Sequence, residues 1–67
     1  MPAGRAELKQ VVYEVRFFDR SGRFSHARAL ECPGDDEAVD RIADLPRHYA
    51  MELWAADRLV RRFEARE

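Results

Sequence analysis

The run Val11-Val12-Tyr13-Glu14-Val15-Arg16-Phe17-Phe18 decides how the rest of the chain is read. Every second residue places Val11, Tyr13, Val15 and Phe17 on one side, all apolar or aromatic. Val12, Glu14, Arg16 and Phe18 fall on the other side. A period of two, dense in β-branched and aromatic side chains, marks a strand with one buried face. The stretch predicts the central strand of a small sheet, with its Tyr13/Val15/Phe17 face turned to the core.

Outward from this strand, Asp19-Arg20-Ser21-Gly22-Arg23 has the chemistry of a three-residue hairpin loop. A type I turn over Arg20 and Ser21 is followed by Gly22 in the left-handed region. That loop predicts a register with Phe18 facing Phe24, Arg16 facing His26, Glu14 facing Arg28 and Val12 facing Leu30. On the other side Phe17 faces Ser25, Val15 faces Ala27 and Tyr13 faces Ala29. An aromatic pair and an opposite-charge pair support this pairing. Ala27 and Ala29 would then leave a groove on the core face into which a helix could sink.

Cys32-Pro33-Gly34 ends the second strand. Asp35 is expected to cap a helix whose acidic first turn, Asp35-Asp36-Glu37, suits the positive end of the helix dipole. The helix is expected to reach about Leu45 and stop before Pro46, with Ala38, Val39, Ile42, Ala43 and Leu45 as its apolar stripe. Three turns do not hold alone, so the helix must dock on the sheet. Alternation returns at Tyr49, with Met51 and Leu53 on its side and Ala50, Glu52 and Trp54 opposite. With Asp57 in the left-handed position of a turn at Ala55-Ala56-Asp57, Trp54 faces Arg58, Leu53 faces Leu59, Met51 faces Arg61 and Tyr49 faces Phe63. The fold expected is α+β, ββαββ, over residues 11–64: a four-stranded, mostly antiparallel sheet with one helix packed on one face. Its strand order is second, first, third, fourth. Residues 1–10 read as a flexible leader and 65–67 as a frayed tail.

A composition of 46% hydrophobic and 37% charged residues is that of a folded domain rather than a disordered chain. Twelve Lys and Arg against thirteen Asp and Glu give a net charge of −1, which supplies no global pull toward nucleic acid or membrane. Cys32 is the single cysteine, so neither an intrachain disulfide nor a cysteine cluster can form. The pattern shows no secretion signal and no long apolar run, and a cytoplasmic location without membrane association is expected. A domain of this size buries a modest fraction of its surface, and self-association is a common remedy.

The reactive inventory is thin. A Cys32 nucleophile would need a neighbouring base, and His26, on the same strand, lies six residues and roughly 20 Å away. His26 and His48 lack metal-ligand spacing, and Gly4, Gly22 and Gly34 are isolated. No catalytic, cofactor or metal site is expected, and the chain reads as a non-enzyme. The informative feature is the sheet face away from the helix. There the first hairpin is expected to present Val12, Phe18, Phe24 and Leu30 with Arg16, His26 and Arg28. The second adds Glu52, Trp54, Arg58, Val60 and Arg62. Aromatics interleaved with arginines can stack bases and hold phosphates, or anchor a protein interface. Glu14, Glu31, Glu52 and Glu64 dilute the positive charge. The expectation is a homodimer or protein-interaction domain using this face, anchored on Phe18, Phe24 and Trp54. A nucleic-acid-binding or regulatory accessory protein is the alternative.

Three patterns carry a resemblance: Tyr13-x-Val15-x-Phe17, the turn Asp19-x-x-Gly22-Arg23, and Glu52-x-Trp54 followed by Arg58-Leu59-Val60. With them the chain resembles a group of small bacterial ββαββ proteins of unknown function, frequent in alphaproteobacteria. The resemblance covers most of residues 11–63 and rests on turn and strand signatures. It implies the fold and no activity. The group often has glycine in the second turn, where this chain has Ala56-Asp57.

Overall fold

The computed structural model describes residues 10–45 and 48–65. Strand β1 (Val11–Phe18) leads through a turn to β2 (Phe24–Cys32). Helix α1 (Asp35–Ala43) follows, then β3 (Met51–Ala55) and β4 (Arg58–Phe63). The strands form one open sheet in the order β2-β1-β3-β4 with every neighbouring pair antiparallel. This is the expected ββαββ order. Pro46, most of the expected leader and residues 66–67 lie outside the described residues.

The helix is set on one face of the sheet by Tyr13, Val15, Met51 and Leu53, which pack with Cys32, Ala38, Ile42, Ala55 and Phe63 to make the core. Phe17, Leu30, Val39 and Val60 close its margin. The Tyr13/Val15/Phe17 face is therefore the core face, as the alternation predicts. Gly34, in extended backbone, is the N-cap, and the Ala38 N–H donates to its carbonyl at 3.1 Å. Asp35 is the first helical residue rather than the cap. The helix ends at Ala43, short of Leu45, so Ala43 and Leu45 are exposed. Nine residues span about 13 Å, roughly half the length of β1.

The first turn forms as expected. Gly22 has φ +87°, its N–H donates to the Asp19 carbonyl at 3.0 Å, and the Asp19 N–H donates to Arg23 O at 2.9 Å. Asp19 Oδ1 accepts from the Ser21 and Arg23 N–H groups and from the Ser21 hydroxyl, each at 2.9 Å. These bonds, led by the one from Arg23, hold its carboxyl below the usual range.

Beyond Phe18↔Phe24 the expected register is overturned. Ser25 is bulged, so Phe17 pairs with His26, Val15 with Arg28, Tyr13 with Leu30 and Val11 with Cys32. Arg16 pairs with Ala27, Glu14 with Ala29 and Val12 with Glu31. One extra residue exchanges the two faces of β2. The exchange brings Leu30 and Cys32 to the helix side, where Cys32 is fully buried, and turns Ala27 and Ala29 away from it. Burial of a leucine and a thiol replaces burial of two methyl groups. His26 moves to the helix side as well, and its ring stacks on Phe17 at 4.6 Å with 7° between planes.

The second hairpin is corrected in the same way. Ala55 pairs with Arg58 across a two-residue turn, and Ala56, not Asp57, takes positive φ at +57°. Such a turn alone would carry Phe63 to the face away from the helix. A bulge at Val60 reverses this, giving Trp54↔Leu59, Leu53↔Arg61 and Met51↔Phe63. Leu59 accordingly lies on the open face and Val60 at the core margin, the reverse of expectation. Tyr49, expected opposite Phe63, precedes β3 and is exposed. No helix among the described residues is long and apolar enough to cross a membrane.

Candidate functional site

The sheet face away from α1 carries a connected set of aromatic and charged side chains. The β1–β3 register places Glu14 opposite Trp54 and Arg16 opposite Glu52. The Arg16 guanidinium lies over the Trp54 ring, 4.3 Å from its centroid, and Arg16 Nε donates to Glu14 Oε1 at 2.7 Å. Trp54 Nε1 donates to Glu52 Oε1 at 2.9 Å, and Arg62 Nη1 donates to Glu52 Oε2 at 2.7 Å. Arg62 also donates through Nε to Glu64 at 2.8 Å, and its guanidinium sits 5.8 Å from the Phe18 ring centroid. Phe18 in turn meets Phe24 edge to face, 6.2 Å between centroids. The path Glu14–Arg16–Trp54–Glu52–Arg62–Phe18–Phe24 is thus continuous across all four strands.

Two properties of this path bear on what it can bind. Each arginine already has a carboxylate partner, and Glu64 first and Glu52 second raise the Arg62 pKa. With Glu31 opposite Val12, the face and its margin hold more carboxylates than guanidiniums. A phosphate backbone would have to displace those partners. The aromatic planes of Trp54 and Phe18 are likewise covered by guanidiniums on one side. Apolar area remains open: Phe24 is 58% exposed, Val12 59% and Leu59 45%. Beside this ridge, Val12, Glu14, Ala27, Ala29 and Ala56 border a trough of about 390 Å³. Two alanines where neighbours are bulky make that trough.

Of the residues expected on this face, Phe18, Phe24, Trp54, Val12, Arg16 and Arg62 come together there. Leu30 and Val60 turn to the core margin. Arg28 lies on the helix side, beside Leu30, Ile42 and Leu45. Arg58 also turns to the helix side, where Nη1 donates to Asp35 Oδ2 at 3.1 Å and Nη2 to Oδ1 at 3.3 Å. Tyr13, buried beneath, donates its hydroxyl to Asp35 Oδ1 at 2.7 Å. Arg58 first, with Tyr13, holds the Asp35 carboxyl below its usual range. The same bond to Asp35, together with burial, pushes the Tyr13 phenol up to about 12. This cluster ties the first turn of α1 to β1 and β4. It is a fastening rather than part of the open face.

Sequence reasoning missed Leu59, Ala27 and Ala29 as members of the face. Leu59 was missed because the sequence predicts a three-residue second turn; the two-residue turn sets it opposite Trp54 before any bulge intervenes. The alanines were assigned to the wrong side by the missing Ser25 bulge. Elsewhere, His26, His48 and Tyr49 border a second groove of about 310 Å³ beyond the end of α1. Among the described residues no three His, Cys, Asp or Glu side chains gather as a metal site. No protein-family model, curated protein or solved structure matches this chain.

Proposed function

We propose that the protein is a small, non-catalytic, cytoplasmic interaction domain that works by self-association, two copies meeting through their open sheet faces. The observation that carries this reading is the Arg16–Trp54–Glu52–Arg62–Phe18–Phe24 path, a rigid aromatic ridge flanked by exposed Val12 and Leu59. Exposed apolar side chains beside an ordered aromatic ridge on so small a domain support a contact surface. Side chains already held by stacking and ion pairs lose little entropy when a partner docks. Sheet-on-sheet packing would also add the burial that a 67-residue chain lacks. The shape suits a second copy. A two-fold axis lying between the sheets and crossing the strands reverses β2 over its copy, so the Phe24 end of one meets the Ala27/Ala29 trough of the other.

Light scattering tests this. The face contact by itself gives twice the 7.8 kDa chain mass, and Trp54→Ala weakens that contact at least about 30-fold, as loss of a central aromatic anchor does. Phe24→Glu is the companion variant, since its side chain is largely exposed and lies outside the core. A wild-type monomer at high concentration refutes the proposal, as does association indifferent to both substitutions. Salt-sensitive binding of single-stranded nucleic acid that depends on Arg16 and Arg62 would replace it with the alternative reading.

A further inference from the structure

The sheet has two edges, β2 and β4, and they are guarded unequally. β4 is six residues long, carries Arg58, Arg61 and Arg62, and is interrupted by the bulge at Val60. Short, charged and bulged edge strands resist pairing with another chain. β2 is nine residues long, contains neither proline nor lysine, and carries one charge of each sign, Arg28 and Glu31. Its bulge at Ser25 lies near one end, leaving His26–Cys32 in regular register with β1. Residues 24–29 and Glu31 are exposed, and among the described residues β2 has a strand neighbour on one side alone. A long unpaired row of backbone donors and acceptors is a template for another strand.

We propose that β2 pairs antiparallel with β2 of a second copy, across a two-fold axis perpendicular to the sheet, joining the two sheets into one. The regular run His26–Cys32 is centred on Ala29, so its full pairing places Ala29 opposite its own copy. Arg28 then lies opposite Leu30, Ala27 opposite Glu31 and His26 opposite Cys32. No like charges oppose one another in this register. Centring one residue earlier, on Arg28, would set two guanidiniums face to face, which is destabilising. A second β2 fits better than a β4 edge on two grounds. The β4 edge presents its arginines and its bulge. A β2–β4 contact is also head-to-tail and does not close on itself. The perpendicular axis leaves both helices on one side and both open faces on the other, so edge pairing does not consume the ridge and does not depend on the face contact.

Cysteine cross-linking tests the edge separately from the face. Opposed residues in an antiparallel pair have Cβ atoms about 4.5–5.5 Å apart, near the geometry a disulfide needs. Ala29→Cys should therefore link into a covalent dimer under mild oxidation. Ala27→Cys, on the same exposed face, stands roughly 13 Å from its own copy in this register. It should link at least about tenfold more slowly, given the distance limits on a disulfide. The wild type, with Cys32 buried, is the control. Both cysteine variants are compared in a Trp54→Ala background, where the face contact, which would bring Ala27 near its own copy, is lost and linking of Ala29→Cys should persist. Amide hydrogen exchange gives a second readout: raising the protein concentration should slow β2 amides and leave β4 amides unchanged. Equal linking rates for the two cysteines, or β2 exchange independent of concentration, overturns the proposal.

Discussion

Leucine in place of Ala27 is expected to leave the stability of the fold within about 0.5 kcal/mol of the parent, as a surface substitution does. Ala27 pairs with Arg16, on the face away from α1, and borders the open trough of about 390 Å³. Three added carbons have solvent-filled space to enter. Were Ala27 opposite Val15 and beneath the helix, the same substitution would overpack the helix–sheet contact at about 1–3 kcal/mol. The reciprocal variant is Leu30→Ala. Leu30 pairs with Tyr13 and packs at the core margin while remaining partly exposed. Full burial would make the loss about 2–5 kcal/mol, and partial burial brings it to about 1–2 kcal/mol. In a domain of this size 1 kcal/mol moves Tm by about 4–8 °C, so the two variants separate clearly. Urea and thermal unfolding followed by far-UV circular dichroism, in a Phe24→Glu background and at protein concentrations low enough to dissociate the β2 edge contact, keeps association out of the comparison. A loss above about 1 kcal/mol for Ala27→Leu, with Leu30→Ala near neutral, would refute the Ser25 bulge and the assignment of both faces.

Two further outcomes follow from the second hairpin and the helix fastening. Ala56 sits at φ +57°, where an L side chain costs about 1–2 kcal/mol, while glycine adds about 0.4–1 kcal/mol of unfolded-chain entropy. Ala56→Gly should therefore raise stability by up to about 1 kcal/mol in the same melts, and a clear loss would contradict the turn geometry. Arg58 and Tyr13 depress the Asp35 pKa, so the unfolded carboxyl, near pH 3.9, takes up its proton first as pH falls. The stabilisation is complete above that value and is lost as pH falls through the folded pKa. Asp35→Asn should flatten the decline in Tm between about pH 5 and about pH 2, and an unchanged slope would exclude the Tyr13–Asp35–Arg58 cluster as its source.

Alternation put Tyr13 and Val15 in the core, because a two-residue period is a property of each strand by itself, and the strand order followed from two hairpins joined by a helix that returns the chain beside β1. The Asp19–Arg23 loop was legible for a similar reason: Gly22 and Asp19 have distinctive local chemistry. What the two hairpins concealed was a single extra residue each. A bulge has no compositional mark at Ser25 or Val60; what selects it is the demand of the whole core. Without the first bulge, Cys32 and Leu30 would face away from Ala38 and Ile42. Without the second, the two-residue turn would carry Phe63 away from Met51 and Leu53. Both bulges answer one requirement, that large apolar side chains from edge strands meet under one short helix. The first bulge and the short second turn also shape the open face. The Ser25 bulge turns Leu30 and Arg28 inward and Ala27 and Ala29 outward, while the two-residue turn sets Arg58 on the helix side and Leu59 outward; together they remove two guanidiniums from the ridge and set a trough beside it. The face read from sequence was richer in arginine and more suited to phosphate. The face that the core demands is narrower, self-neutralised and apolar at its exposed points, features that favour the proposed contact between two copies over the alternative of nucleic-acid binding.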